Sequence, residues 1–322
     1  MILVGDIGGT KCLLAQRDDA GKLGDSTRLP SGAHATFDSV LHEYLGETRP
    51  RPRAACFAVA GAVSPDGKRA RVTNLPWAIE ADELARGFGL ERVVLINDFY
   101  AQALAVLELP ETALAPLREG SVTPGAAKAI LGAGTGLGQA FLVSAHGRYE
   151  VVPSEGGHTD FAPTTERQVE LWRWLAAKFG HVSYERVLSG AGLASCYQFL
   201  VSREPGRELA TTRERMKVDD PAAVVTRSLA EDPLCAEALD LFCEIYGQEA
   251  SNLALAVLAL GGVYLCGGIA PRILATLRAG AFSRGFLAKG RHRELLAGVP
   301  VWVVTNTESG LLGASVAAGR MA

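Results

Sequence analysis

The chain has 322 residues, a length that favours about two domains around a substantial core. Hydrophobic residues make up 48% and charged residues 21%, close to globular averages, which excludes disorder, collagen and coiled coil. With 32 Lys and Arg against 35 Asp and Glu the net charge is −3, so the basic footprint needed to grip a phosphate backbone is missing and nucleic acid is not an expected partner.

The opening MILVGDIGG has no basic region and only a short apolar run, and is not read as a signal peptide. Residues 2–4, 5–10 and 11–15 read instead as strand, turn and strand, the glycines of the turn supplying the positive φ that a tight hairpin demands. Residues 53–60 (RAACFAVA) and 92–96 (RVVLI) are predicted buried strands with a helical pattern at 79–88 between them. The second strand runs through Asn97 and Asp98 into a helix over about 99–107, and this alternation predicts an α/β domain ending near residue 108. The Pro-, Glu- and Ala-rich residues 109–119 read as a linker.

Residues 129–131, 132–138 (GAGTGLG) and 139–144 then repeat the strand, glycine turn, strand pattern. The two copies lie too far apart for a solenoid and suggest a duplicated nucleotide-binding unit. Residues 166–260 are mainly helical in pattern, interrupted by a polar, proline-broken loop at 203–221. The uncharged stretch 250–271 has the length of a membrane span. Asn252, two Gly-Gly pairs and Pro271 divide it into the end of a buried helix, a turn, a buried strand at 263–266 and a second glycine turn. Residues 299–304 (VPVWVV) read as a last strand, and the small, apolar 308–318 as a helix packed closely against the first domain. The six cysteines are scattered, without C-x-x-C or zinc-type spacing, which points to a reduced, cytoplasmic setting.

A glycine turn lets backbone N–H groups approach phosphate oxygens with no Cβ in the way. No G-x-x-x-x-G-K-[ST] occurs, so neither turn is a P-loop. The dinucleotide fingerprint also fails at Gly132 and Gly134, where its third position falls on Leu137 or Gln139, and the following residues read as a strand rather than the helix that a Rossmann turn opens. Both turns therefore read as β-hairpins. Either alone could be an ordinary hairpin; the pair, with Asp6, Thr10 and Thr135 beside them, points to phosphate.

GDIGGTK (5–11), TNLPW (73–77), LINDF (95–99), LGAGTGLG (131–138), EGGHTDFAP (155–163), ERVLSGAGL (185–193) and LCGGIAPR (265–272) in this order resemble the bacterial ATP-dependent glucokinase family. That family belongs to the actin-like ATPase and hexokinase superfamily, and the resemblance covers nearly the whole chain. It implies a two-domain α/β fold of the actin-like ATPase (ribonuclease H-like) type with the active site in a cleft between domains. Residues 1–108 with 304–322 would form the small domain and 109–303 the large one. It further implies a cytoplasmic, homodimeric enzyme of glycolysis that uses Mg²⁺ to transfer the γ-phosphoryl of ATP to the C6 hydroxyl of glucose. The related repressor/open-reading-frame/kinase family carries a Cys-rich zinc motif absent here, and its repressor members a helix-turn-helix for which residues 1–4 leave no room. A kinase for another hexose or an amino sugar, a polyphosphate-dependent enzyme and a non-catalytic sugar sensor of the same fold remain alternatives, the sensor disfavoured by the retention of Asp98 and Asp6.

Sugar phosphorylation needs a base at the attacking hydroxyl, partners for the other hydroxyls and a phosphate cradle with Mg²⁺. Asp98 follows a buried strand, where α/β sheets place ligands; it reads as a helix N-cap or, on the resemblance, as the base. Asn97 is either a turn residue or a sugar contact. The resemblance makes Glu155, His158 and Glu185 the hydroxyl clamp. The residues alone equally allow a plain turn at 155–158, a weak metal pair of His158 with Asp160, and a first-turn carboxylate at Glu185 behind a Ser183 cap. Trp77 is either at the sugar cleft or simply buried. For the nucleotide, the stretch Gly5, Asp6, Ile7, Gly8, Gly9 and Thr10 would meet one end of the phosphate chain, with Asp6 positioning Mg²⁺ through water. Gly134, Thr135 and Gly136 would meet the other end. Gly267 and Gly268 would give adenine a flat surface, or form an ordinary turn. Lys11 receives no role.

Overall fold

The computed structural model describes residues 1–46 and 50–321; residues 47–49 and 322, which the expected small domain includes, lie outside the described residues. The chain forms two compact units, Met1–Glu111 with Asn306–Ala322, and Thr112–Thr305.

In the first unit β1 (Ile2–Ile7), β2 (Lys11–Arg17), β3 (Thr27–Pro30), α1 (Phe37–Leu45), β4 (Ala54–Val59), β5 (Gly61–Val63), β6 (Arg69–Val72), β7 (Ala78–Glu80), α2 (Ala81–Phe88), β8 (Arg92–Asn97) and α3 (Asp98–Val106) follow in chain order. The main sheet has the order β3-β2-β1-β4-β8, and β1, β4 and β8 run parallel. Nearly continuous apolar runs such as AACFAV, buried at every position, are what a parallel strand covered on both faces requires. Phe37 meets the Phe57 ring edge-on at 5.0 Å, and Trp77 is buried beside Phe37 rather than exposed at a cleft. The C-terminal helix Ser309–Gly319 lies against α3 and β1. Its small residues permit that approach: a side chain at Gly313 would overlap the Ala101 carbonyl.

The second unit contains β9 (Leu114–Arg118), β10 (Lys128–Ala133), β11 (Leu137–Ala145), β12 (Arg148–Ser154), α4 (Glu166–Phe179), α5 (Gly190–Arg203), α6 (Ala210–Val218), α7 (Pro221–Arg227), α8 (Pro233–Ala256), β13 (Val263–Cys266), α9 (Leu274–Arg278), α10 (Ala281–Leu287), α11 (Arg293–Ala297) and β14 (Val301–Val304). Its sheet has the order β12-β11-β10-β13-β14-β9, with β10, β13 and β14 parallel. Apart from the added edge strand β9, this repeats the first sheet: third, second, first, fourth, fifth strand. The duplication expected from the two glycine turns is thus present in the strand order. Among the described residues no helix is long and apolar enough to cross a membrane, and 250–271 divides into the end of α8, a turn, β13 and a second turn.

Five local expectations need correction. The first hairpin turn is shorter than 5–10, because β1 continues through Gly5 and Asp6 to Ile7. Its glycines do not supply positive φ, since neither Gly8 nor Gly9 adopts it. They are small for steric reasons instead: a Cβ on Gly9 would lie 2.8 Å from the Thr73 carbonyl oxygen. Residues 109–119 are not only a linker. They include β9, whose Pro116 is tolerated because β9 is an edge strand paired only with β14. The loop expected at 203–221 contains α6, a polar helix braced at its surface by Arg213–Glu208 and Arg215–Glu231 ion pairs at 2.5 and 2.9 Å. Finally, Ser183 precedes only a 3-10 turn, Tyr184–Arg186, which its side chain does not cap.

Candidate active site

In the first unit the register of three parallel strands sets the geometry. Asp6 lies level with Ala58 of β4, and Asn97 with Val59, so Asp6, the Gly8–Thr10 turn and Asp98 all lie at the carboxyl edge of one sheet. β1 and β8 are two strand spacings apart, about 10 Å. The turn is held from behind by Ser31, fully buried, whose hydroxyl donates to the Gly8 carbonyl at 2.7 Å and whose N–H donates to the Thr10 carbonyl. Nothing in the sequence pattern singles out Ser31, because its partner is 23 residues away.

The Asp6 carboxylate has no hydrogen bond among the described residues and is packed against Gly310, where a Cβ would lie 2.5 Å from Oδ2. Burial pushes its pKa up to about 6, opposed by the positive charge of Lys11. A half-buried carboxylate without donors is suited to a hard cation such as Mg²⁺, which prefers oxygen ligands.

The helix cap at α3 is Asn97, not Asp98. Asn97 has extended backbone, and its Oδ1 accepts from the N–H groups of Phe99 and Tyr100 at 2.8 and 3.3 Å. Its Nδ2 also donates to the Gly61 carbonyl at 3.3 Å, which leaves one amide hydrogen for a ligand. Asp98 stands in the first turn, half-buried, with the Phe99 N–H at 3.0 Å from Oδ1.

In the second unit the glycine turn joins β10 to β11 across the Ala133–Leu137 pair. Gly134 and Gly136 also have no positive φ. Gly267, by contrast, has φ +80°, and a Cβ there would lie 2.6 Å from the Ala133 carbonyl oxygen. That contact brings Gly267 against the base of the glycine turn. The N-terminus of α5 reaches the same place: Gly190 N–H donates to the Gly134 carbonyl at 2.9 Å, while Ser189 caps the helix through Gly192 N–H at 3.0 Å. Sequence reasoning gave Ser189 and Gly190 no part, although the S-G-A-G pattern before an apolar run is an N-cap signal.

The expected clamp residues come together. His158 Nε2 lies 3.8 Å from Glu155 Oε2, and His158 Nδ1 3.8 Å from Glu185 Oε1. The segments carrying them are tied by Tyr184 N–H to Thr159 O at 3.0 Å and Phe161 N–H to Val182 O at 2.9 Å. Glu185 Oε2 accepts the Leu137 N–H at 3.0 Å, at the end of the second glycine turn. Asp160 pairs with His181 at 2.9 Å. Among the described residues no cluster of three His, Cys, Asp or Glu side chains could hold a metal.

A glucokinase family model matches residues 3–321. A glucokinase of Nostoc punctiforme is 39% identical over 100% of this chain and 99% of its own length. That of Chromobacterium violaceum is 38% identical over 97% of this chain and 87% of its own. Among solved structures, a glucokinase from an Antarctic psychrotroph superposes with a TM-score of 0.82 at 31% identity, covering 99% of this chain and 98% of the other. A glucokinase of Balamuthia mandrillaris in complex with glucose, 21% identical, shares the fold at a TM-score of 0.84 over 99% and 93% of the two chains. The fold is that of the actin-like ATPases.

Proposed function

The chain belongs to the glucokinase family and is an ATP-dependent hexose kinase acting on glucose, and from that premise we propose the roles of its residues. Asp98 is the general base. It takes the proton of the glucose C6 hydroxyl as that oxygen bonds to the γ-phosphorus and the bond from phosphorus to the β,γ-bridging oxygen breaks, leaving ADP. Asn97, Glu155, His158 and Glu185 bind the remaining hydroxyls. Gly9 and Thr10 meet one end of the phosphate chain through N–H and hydroxyl groups and Thr135 and Gly136 the other, while Gly5, Ile7, Gly8 and Gly134, whose N–H groups are engaged in the sheet or within the turns, shape the two hairpins, with adenine on Gly267 and Gly268. Asp6 is the residue that would hold Mg²⁺, and the ion would supply neutralisation of charge on the phosphate oxygens.

The observation that carries this reading is the Glu185 carboxylate, one oxygen on the Leu137 N–H beside the phosphate turn and the other facing His158. A group that touches both segments suits a site where a sugar and a phosphate meet. The reading extends to two domains, 1–108 with 304–322 and 109–303, and to a cytoplasmic homodimer working in glycolysis.

The test is ADP release coupled to detection of glucose 6-phosphate, with ATP or polyphosphate as donor, Mg²⁺ present or removed by chelator, and a panel of hexoses and amino sugars. Glucose with ATP and Mg²⁺ is expected to give the highest kcat/KM, and chelation to abolish turnover. Light scattering of the purified protein checks the dimer.

A further inference from the structure

Beneath the proposed clamp, Glu249 of α8 is 3% exposed and Gln139 of β11 is 1% exposed. A buried carboxylate costs stability unless several donors satisfy it. Here Gln139 Nε2 donates to Oε1 at 2.7 Å and Asn252 Nδ2 donates to Oε2 at 2.9 Å. The same Asn252 nitrogen lies 2.8 Å from the Tyr184 hydroxyl, and Asn252 Oδ1 accepts from Lys289 Nζ. Burial raises the pKa of Glu249, opposed by these donors and by the charge of Lys289, and the Tyr184 phenol is pushed up to about 12 by burial and by the charge of Glu249.

An ionised carboxylate only accepts, so both neighbouring amides must turn their nitrogens toward it. Gln139 then presents its oxygen outward to Gly156, where any side chain would overlap it. Asn252 presents its nitrogen to Tyr184, the residue before Glu185. One side of the network therefore supports the turn that carries Glu155 and His158, and the other supports the turn that carries Glu185.

We propose that Glu249 is a positioning residue for glucose: through Gln139 and through Asn252 with Tyr184 it fixes the spacing of Glu155 and His158 from Glu185. The inference rests on the reading of those three residues as the hydroxyl clamp. Small misplacements of such groups are costly, since about 1 Å can cost on the order of 10²-fold in rate.

Glu249→Gln keeps the shape but offers a donor where Asn252 also donates. It is expected to raise KM for glucose about 10-fold while KM for ATP stays within about twofold, a split that general loosening of the unit does not produce. Tyr184→Phe removes only the hydroxyl and is expected to raise KM for glucose by a smaller factor in the same selective way, which tests the network if Glu249→Gln fails to fold. Combined with Glu185→Gln, either change is expected to add less than its separate effect. A folded Glu249→Gln enzyme with unchanged KM for glucose, or with glucose and ATP KM values rising in parallel, overturns the inference while Glu185→Gln alone still raises KM for glucose. If Glu185→Gln leaves that KM unchanged, the clamp reading itself fails and this inference falls with it.

Discussion

Asp98 stands at the first turn of a helix whose cap is its neighbour Asn97, with Asp98 Oδ1 sharing the Phe99 N–H. Asp98→Asn preserves shape and a hydrogen bond but cannot take a proton, and kcat is expected to fall by roughly 10²- to 10⁴-fold. Glucose affinity, measured by isothermal titration, is expected to change far less, and a near-normal kcat would exclude Asp98 as the base. The clamp makes the opposite prediction. Glu155→Gln, His158→Ala and Glu185→Gln each remove one partner of a charged or aromatic type, and a hydrogen bond to a charged group contributes about 1.5–3 kcal/mol. KM for glucose is therefore expected to rise by roughly one to two decades in steady-state kinetics, with little change for ATP. The chemical identities of these residues were legible in order along the sequence, because the motifs hold them at fixed offsets. Their division of labour was not: that Asn97 and not Asp98 caps α3 depends on backbone angles, and Ser31 reaches Gly8 only because β3 pairs beside β2.

At the scale of elements, the parallel strands and the two glycine hairpins were readable because parallel strands demand apolar runs; the antiparallel strands β3, β5, β6, β7 and β12 were not, nor was α6, whose sequence ATTRERMKV is polar nearly all round and rests on charge pairs rather than a buried face. In the first glycine hairpin the cause expected for the glycines was wrong, since contact and not φ excludes a side chain at Gly9. The same cause makes a prediction for the C-terminal helix. Gly313→Ala gains about 1 kcal/mol in helix propensity, but the added methyl overlaps a backbone carbonyl of α3 that cannot swing aside. Overpacking costs about 1–3 kcal/mol and so outweighs the gain; the urea midpoint is expected to fall. A second element-level prediction concerns Glu237 of α8, which accepts from Arg167 of α4 at 2.9 Å and from Arg207 at 2.5 Å. Arg207 and Arg167 hold its carboxyl below the usual range. A depressed carboxyl stabilises the fold above its unfolded pKa and loses that contribution as pH falls through its folded pKa. Since Glu237 and its two arginines are 36–43% exposed, Glu237→Gln is expected to cost no more than about 1 kcal/mol at pH 7. Thermal melts in acid should show wild type and variant converging.

At the scale of the whole molecule, the proposed ligands of one small sugar are divided between the two compact units. Asn97 and Asp98 belong to Met1–Glu111, and Glu155, His158 and Glu185 to Thr112–Thr305, while the chain passes from one unit to the other only at 111–112 and 305–306. The sequence carried the duplication that underlies this division, since two glycine turns announce two similar sheets. It did not carry β9, which extends the second sheet using residues that composition assigns to a linker. On the proposed roles, a sugar held by residues of both units would couple them, and closure on it would expel water that otherwise accepts the γ-phosphoryl. Two chain crossings are few enough for hinge motion about element ends. Saturating glucose without nucleotide is therefore expected to reduce the radius of gyration in solution X-ray scattering, and ATP hydrolysis without sugar is expected to run far below glucose phosphorylation. Glu185→Gln, which withdraws one of the second unit's contacts, should require more glucose to reach the same compaction. Superimposable scattering profiles with and without saturating glucose would mean that the arrangement able to hold the sugar already exists in the free enzyme, and would take closure out of the mechanism.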